Sequence, residues 1–174
     1  NARLLGLPLD DLEKCVGVIA DFTVRSIDLG HVVTADGSER YFLGVLSSGF
    51  DSCVNERANV MTWPKGEARY LVGILAELRT FSAVPYTVTV DGQVHRDKGM
   101  LVAVGNGTSY GGGMNVCAGA EPDDGELTLT WLHQVSKFEF LRTFPKVYKG
   151  THVTHPSVTQ LNGTTITLEA PDQI

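Results

Sequence analysis

Ser26-Ile27-Asp28-Leu29-Gly30-His31-Val32-Val33, followed by Asp36-Gly37 and then Tyr41-Phe42-Leu43-Gly44-Val45-Leu46, decides the fold class of this chain. Two apolar runs flank an Asp-Gly pair, whose residues tolerate the positive φ that a tight hairpin turn demands. The pattern recurs at Asp91-Gly92 after residues 85–90, and at Asn162-Gly163 between residues 158–161 and 165–168. Further strands are expected over residues 100–104 and 126–132. Short strands punctuated by turns bury their edges most simply when two layers stack. The expected fold is therefore mainly β, an antiparallel β-sandwich carrying two or three helices, and 19 glycines in 174 residues suit that many turns.

Helical spacing appears in three places. Across residues 1–22, Leu12, Cys15, Val16, Ile19 and Phe22 recur at three- and four-residue steps, and Asp10 with Glu13 has the sense of a capping box. Residues 65–81 carry Leu71, Leu75 and Leu78 at the same spacing. Ser136 with Glu139 forms a second capping box, opening a stripe of Phe138 and Leu141. No internal repeat or low-complexity linker divides the chain.

Composition narrows the function classes. The chain is 43% apolar and 20% charged, which excludes a disordered segment, and no apolar run approaches the roughly 18–20 residues of a membrane span. Fourteen Lys and Arg against 20 Asp and Glu give a net charge of -6, so the basic footprint of a nucleic-acid binder is missing. Cys15, Cys53 and Cys117 show neither CxxC nor metal spacing and read as reduced, mostly buried thiols of a cytoplasmic protein. The Asn106-Gly107-Thr108 and Asn162-Gly163-Thr164 glycosylation patterns then read as chance matches. The first residue is Asn1 rather than Met, which reads as a piece of a longer protein.

Three stretches are candidates for chemistry. The run from Val104 to Met114 holds Gly105, Gly107, Gly111, Gly112 and Gly113 beside Asn106, letting backbone approach a ligand; the plain alternative is a structural loop. It lacks the Gly-Lys-Ser/Thr of a P-loop and the following helix of a dinucleotide fingerprint. Glu121-Pro122-Asp123-Asp124-Gly125-Glu126 offers carboxylates and turn carbonyls to a hard cation such as Mg2+, or is simply a solvated turn. His152 and His155, three apart in a segment read as extended, would not share a face, which argues against a zinc pair.

The order of these motifs is more telling than any one of them. Asn1-Ala2-Arg3-Leu4-Leu5-Gly6-Leu7-Pro8, Ile27-Asp28-Leu29-Gly30, Ser48-Gly49-Phe50-Asp51, Val104-Gly105-Asn106, Gly111-Gly112-Gly113-Met114, residues 120–127, and Gly150-Thr151-His152 with Pro156-Ser157-Val158 follow one another along the chain. In that order the series resembles the diacylglycerol kinase and sphingosine kinase-like lipid kinases, most closely the bacterial soluble branch.

The resemblance implies a two-domain kinase whose first domain holds ATP through a Gly-Gly-Asp-Gly motif and whose second is a β-sandwich. Residues 1–24 would be a helical remnant of the junction, and residues 25–174 the β-sandwich C-terminal domain, cut before the Asp-Gly-Glu that supplies the general base. The implied activity is transfer of the ATP γ-phosphate to the hydroxyl of diacylglycerol or a related lipid alcohol, with the isolated piece inactive and holding no catalytic residue. By resemblance Asp124 supplies a side-chain ligand to Mg2+, Glu121 and Glu126 supply backbone carbonyls, and Asp28 acts through water. Asn106, Gly111, Gly112 and Gly113 would line the substrate cleft. Beside the resemblance, Arg142, Lys146 and Lys149 could face anionic lipids, giving peripheral membrane contact, or form an ordinary solvated helix face, and a homodimer is possible. The alternatives are a non-catalytic β-sandwich module binding lipid or protein, and a parent that phosphorylates another acceptor such as a nicotinamide nucleotide.

Overall fold

The computed structural model describes residues 4–7, 10–22, 24–64, 67–111 and 113–171. Among them run α1 (Leu12–Ala20), β1 (Gly30–Val33), β2 (Glu39–Phe42), β3 (Val45–Gly49), α2 (Phe50–Val60) and α3 (Glu67–Thr80). There follow β4 (Val84–Val90), β5 (Gln93–Gly105), β6 (Leu127–His133), α4 (Lys137–Thr143), β7 (Val158–Gly163) and β8 (Ile166–Glu169). Two 3-10 turns, Phe144–Lys149 and Thr151–Thr154, link α4 to β7.

The Asp-Gly pairs do what their chemistry predicts at two sites. β1 and β2 pair antiparallel across Asp36-Gly37. β4 and β5 pair across Asp91-Gly92, where both turn residues take positive φ, 45° and 85°, the primed-turn geometry that continues strand twist. At Asn162-Gly163 the expected hairpin does not form. β7 pairs with β6, and β8 pairs with β4, so the turn joins opposite ends of the sheet order β7-β6-β5-β4-β8. Laid flat, four strand spacings of about 4.8 Å would separate those ends, yet only Thr164 and Thr165 connect them. The sheet must therefore roll over on itself.

Asp91 fastens the roll. Its carboxylate accepts hydrogen bonds from the Thr164 and Thr165 backbone N–H groups, at 3.1 and 2.8 Å to one oxygen, and from the Thr164 hydroxyl at 3.0 Å. The N–H of Thr165, followed by the hydroxyl and N–H of Thr164, holds the Asp91 carboxyl below the ordinary carboxylate range.

Inside the roll, Tyr86, Val88, Val90, Val102, Leu129 and Trp131 form one core, with Leu161, Ile166 and Leu168 packed against it. Burying each aliphatic side chain of this kind contributes about 1.5–3 kcal/mol. β5 carries the bend. A register shift between Gly99 and Leu101 lets its first half pair with β4 and its second half with β3 and β6. Past the bend, Val102 turns into the roll, whereas Ala103 joins Met114, Val116, Cys117, Ala120 and Val147 on the other face. A third cluster of Phe50, Val54, Ile74, Leu78, Met100 and Phe140 docks α2, α3 and α4.

Among the described residues there are four α-helices, against the two or three that the spacing predicts. The spacing gives no sign of α2, whose buried residues are only Phe50, Val54 and Ala58 within a largely polar stretch, while its last residue, Val60, is exposed. α1 is shorter than residues 1–22 and is capped by Asp11, whose side chain accepts from the Lys14 N–H at 3.0 Å, rather than by Asp10. Its Leu12, Val16 and Ile19 are exposed, so its apolar stripe does not reach the core. The second capping box does form: the Ser136 side chain accepts from the Glu139 N–H at 3.2 Å. Phe138 and Leu141, however, face solvent, and Phe140 and Thr143 are the buried pair. In α3, Leu78 is buried and Leu75 is half exposed. The expected roles of Asn1 to Arg3, Pro8, Lys65, Gly112 and the Leu71 side chain lie outside the described residues.

Candidate functional site

The acidic turn and the Asp28 segment, nearly a hundred residues apart in sequence, meet in space. The Asp28 N–H donates to the Pro122 carbonyl at 2.6 Å, and the Gly125 N–H donates to the Asp28 carboxylate at 2.7 Å. The Arg25 guanidinium pairs with Asp123 at 2.8 Å. Gly125 takes φ 77°, a left-handed conformation that favours glycine, and this turns the chain sharply after Asp124. Asp124 closes the turn locally by accepting from the Glu126 N–H at 2.9 Å.

Asn106 anchors the same assembly from the end of β5. It is 1% exposed. Its N–H donates to the Gly44 carbonyl at 2.9 Å, and its side-chain amide donates to the Asp28 carbonyl at 2.8 Å. Its side-chain oxygen is buried and finds no hydrogen-bond partner among the described residues, and a buried acceptor left in that state is costly. Asn106, Asp28, Gly125, Glu126, Thr164 and Thr165 surround a depression of about 510 Å³. The structure thus brings together Asp28, Asn106, Glu126 and the turn that bears Asp124.

Gly111 and Gly113 lie elsewhere. They flank the tip of a tight loop closed by a bridge between Tyr110 and Met114, with φ of 50° and 97°. A side chain at Gly111 would strike the Met114 methyl group at 2.7 Å. Neither glycine borders the Asn106 depression.

Tyr110 and Met114 instead wall a partly open cavity of about 80 Å³ between α2, α4 and the outer face of the sheet. Its surroundings are almost wholly apolar, with Phe50, Val54, Leu101, Val116, Phe140 and Phe144 prominent. Polar side chains interrupt them: Thr130, Thr143 and His155, and the three groups Asp51, Tyr110 and His152, whose pKa values burial shifts. Burial raises the Asp51 carboxyl above its ordinary value, against hydrogen bonds from Ser47, at 2.7 Å, and from Tyr110. Tyr110 is itself pushed up, first by burial and then by Asp51. His152 is 7% exposed and its Nε2 sits 3.0 Å from the Val116 carbonyl, which leaves Nδ1 buried without a partner among the described residues. Burial lowers the His152 pKa, so the ring is neutral.

Sequence reasoning singled out none of these three for a site. Asp51 and His152 stood in the quoted motifs, and Tyr110 lay among the glycines, but the cavity lining is drawn from elements that meet only in the fold. The segment holding the two histidines is a 3-10 turn rather than extended. His155, the extended residue that ends this turn, lies 3.4 Å from Glu139, and both histidines border the cavity.

The donor chemistry of the acidic turn suits a hard cation. Among the described residues no three His, Cys, Asp or Glu side chains are grouped to cage a metal. An ion here would be held by one carboxylate, backbone carbonyls and water, which is the incomplete protein coordination that Mg2+ accepts. One oxygen of the Asp124 carboxylate is engaged by the Glu126 N–H.

Comparison with known proteins fits this architecture. Residues 44–174 match the family model described as the YegS C-terminal NAD kinase beta sandwich-like domain. A protein named diacylglycerol kinase from Mycobacterium tuberculosis is 37% identical over 172 residues, covering 98% of this chain and 56% of the relative. One named probable lipid kinase YegS-like, from Pseudomonas fluorescens, is 30% identical over 132 residues, 75% of this chain and 42% of that protein. The chain therefore spans about half the length of the curated relatives it matches. The crystal structure of a diacylglycerol kinase from Bacillus anthracis superposes with TM-score 0.66 at 24% identity, covering 98% of this chain and 54% of that one, and so shares the fold. With three-quarters of its length inside the family model and its strands rolled as a sandwich-like layer pair, this chain belongs to the YegS C-terminal NAD kinase beta sandwich-like domain family.

Proposed function

We propose that this chain is the lipid-holding half of an ATP-dependent lipid kinase that phosphorylates the hydroxyl of diacylglycerol or a related lipid alcohol. The observation that carries the reading is the apolar cavity beside the glycine loop, within a domain whose relatives are named diacylglycerol kinase and probable lipid kinase. Phosphoryl transfer asks mainly for positioning and charge neutralisation. The cavity walls of Phe50, Val54, Phe140 and Phe144 take part of an acyl chain and exclude water from it. The Gly111–Gly113 loop, next to the cavity walls Tyr110 and Met114, takes the polar end of the substrate, while Asn106 holds the Asp28 segment beside the metal turn. Asp124 with the Glu121 and Glu126 carbonyls holds Mg2+, and Asp28 steadies the turn through Gly125 and reaches the ion through water. When bound, the ion supplies positive charge that organises the region facing the ATP-binding domain. ATP and the proton-accepting carboxylate belong to parts of the enzyme outside this chain, so the chain alone is inactive. The protein works in the cytoplasm.

The test is transfer of labelled phosphate from ATP to dioleoylglycerol, with the chain joined to an ATP-binding domain of its relatives. Asp124→Ala is expected to lower turnover and weaken Mg2+ affinity together. Unchanged turnover and metal affinity in that variant would refute the metal assignment. Lipid binding without any phosphate transfer would favour a non-catalytic binding module, the second reading that the cavity by itself permits.

A further inference from the structure

The segment from α4 through the first 3-10 turn is apolar on two opposite sides. Phe140, Thr143, Phe144 and Val147, at helical spacing, turn inward and wall the cavity. Phe138, Leu141, Pro145 and Tyr148, also three and four residues apart, turn outward and are exposed, Phe138 by 78% and Tyr148 by 53%. A short helix on a water-facing surface normally has one apolar stripe, the one that meets the core.

Charge divides this segment from the rest of the chain. Residues 137–149 hold four basic residues, Lys137, Arg142, Lys146 and Lys149, against one acidic residue, Glu139, in a chain whose net charge is -6. Glu139 is engaged with His155, and Lys137 donates to the Arg79 carbonyl. Arg142, Lys146 and Lys149 are exposed and belong to no ion pair among the described residues. Arg142 and Lys146 border an open depression of about 360 Å³ beside Phe138.

We infer that residues 137–149 are a membrane-docking element, with the outward stripe entering the headgroup boundary of an anionic bilayer and the flanking basic side chains resting on lipid phosphates. Exposed aromatic and aliphatic residues bordered by Lys and Arg are the composition that binds a bilayer surface, because burial of apolar area and attraction to anionic lipid act together. The arrangement also has a use. The inner face of the same segment lines the cavity, so docking sets the cavity wall against the lipid phase and shortens the path of an acyl chain into it. That use rests on the lipid-kinase reading, whereas the docking itself does not need it.

The experiment is sedimentation with phosphatidylcholine vesicles, with and without roughly one third phosphatidylglycerol. The protein is expected to bind the anionic vesicles and to be released by salt. The combined variant Arg142→Glu, Lys146→Glu and Lys149→Glu should lose about tenfold or more in partitioning. Phe138→Ala with Leu141→Ala should weaken binding while retaining the preference for anionic lipid. All five positions are exposed, and an unchanged melting temperature confirms folding of each variant. Absence of vesicle binding, equal binding to neutral vesicles, or binding unchanged in both variants overturns the inference. Release by inorganic phosphate at an ionic strength where chloride does not release the protein overturns it too, marking a free-phosphate site. Vesicle binding with no lipid phosphorylation by the chain joined to an ATP-binding domain of its relatives would sink the kinase reading and leave the docking intact.

Discussion

The carboxylate of Asp28 accepts a hydrogen bond from the Gly125 N–H at 2.7 Å, although 97 residues separate them. With the Asp28 N–H on the Pro122 carbonyl and the Asn106 amide on the Asp28 carbonyl, it ties the segment before β1 to the acidic turn and to the end of β5. The candidate metal turn is thus held by residues from three separate parts of the chain.

Removing this tie should be felt both as stability and as metal affinity. Asp28→Ala is expected to cost about 1–2 kcal/mol, since a charge-assisted hydrogen bond is lost and the turn is freed. Urea unfolding measures the first effect, and Mg2+ titration calorimetry the second. Asp28→Asn, which keeps an acceptor, should recover most of the stability. Equal losses in the two variants would show that the hydrogen bond does not matter.

Gly99 sets the bend of β5. A side chain there would strike the indole Nε1 of Trp131, which is 2% exposed and packed in the roll. Gly99→Ala is expected to destabilise by about 1–3 kcal/mol through overpacking, read from the denaturation midpoint. A neutral result would mean that the sheet can flex at this point.

Leu129 is fully buried in the core inside the roll. Leu129→Ala should cost about 2–5 kcal/mol, the removed methyl groups plus the cavity they leave. Leu75→Ala, at a half-exposed position of α3, should cost far less. Comparing the two by thermal unfolding checks that the roll, rather than the helical flank, carries the main core.

Stability should fall with acid in two steps of the same sign. His152 has a folded pKa lowered by burial, so its contribution is complete above the ordinary value of 6.5 and is lost as pH falls through the folded value. Asp91 has a folded pKa lowered by the Thr165 and Thr164 donors, so its contribution is complete above 3.8 and is lost as pH falls through its folded value. Urea unfolding between pH 8 and pH 3 should show both declines. His152→Gln should flatten the first and leave the second. A wild-type stability that rises on acidification through 6.5 would contradict the His152 assignment.

Cys117 is fully buried, and burial pushes its thiol up to about 12. At pH 8 it should resist alkylation by iodoacetamide until the chain unfolds, whereas the half-buried Cys53 should react sooner. Mass spectrometry of timed digests distinguishes the two, and early labelling of Cys117 would show local opening beside the glycine loop.

Local chemistry was legible wherever a few neighbouring residues determine the outcome. The turns at Asp36-Gly37 and Asp91-Gly92, the Ser136 cap and the mainly β character follow from conformational preferences and periodicity that act over a few residues. The ordered motifs carried the family resemblance, which the match over residues 44–174 supports. Long-range pairing was not legible. Asn162-Gly163 has the chemistry of a hairpin turn, yet its strands part company because Asp91 and the edges of β4 and β6 compete for them.

The sequence by itself determined which residues could turn, cap and alternate, because those properties belong to single side chains and their immediate neighbours. Only the tertiary structure decided that Asp28 meets Gly125, that Asp51 and His152 face one cavity, and that α4 shows apolar residues on both sides. Each of those depends on where distant segments pack, and packing is settled by how the whole apolar surface is buried at once.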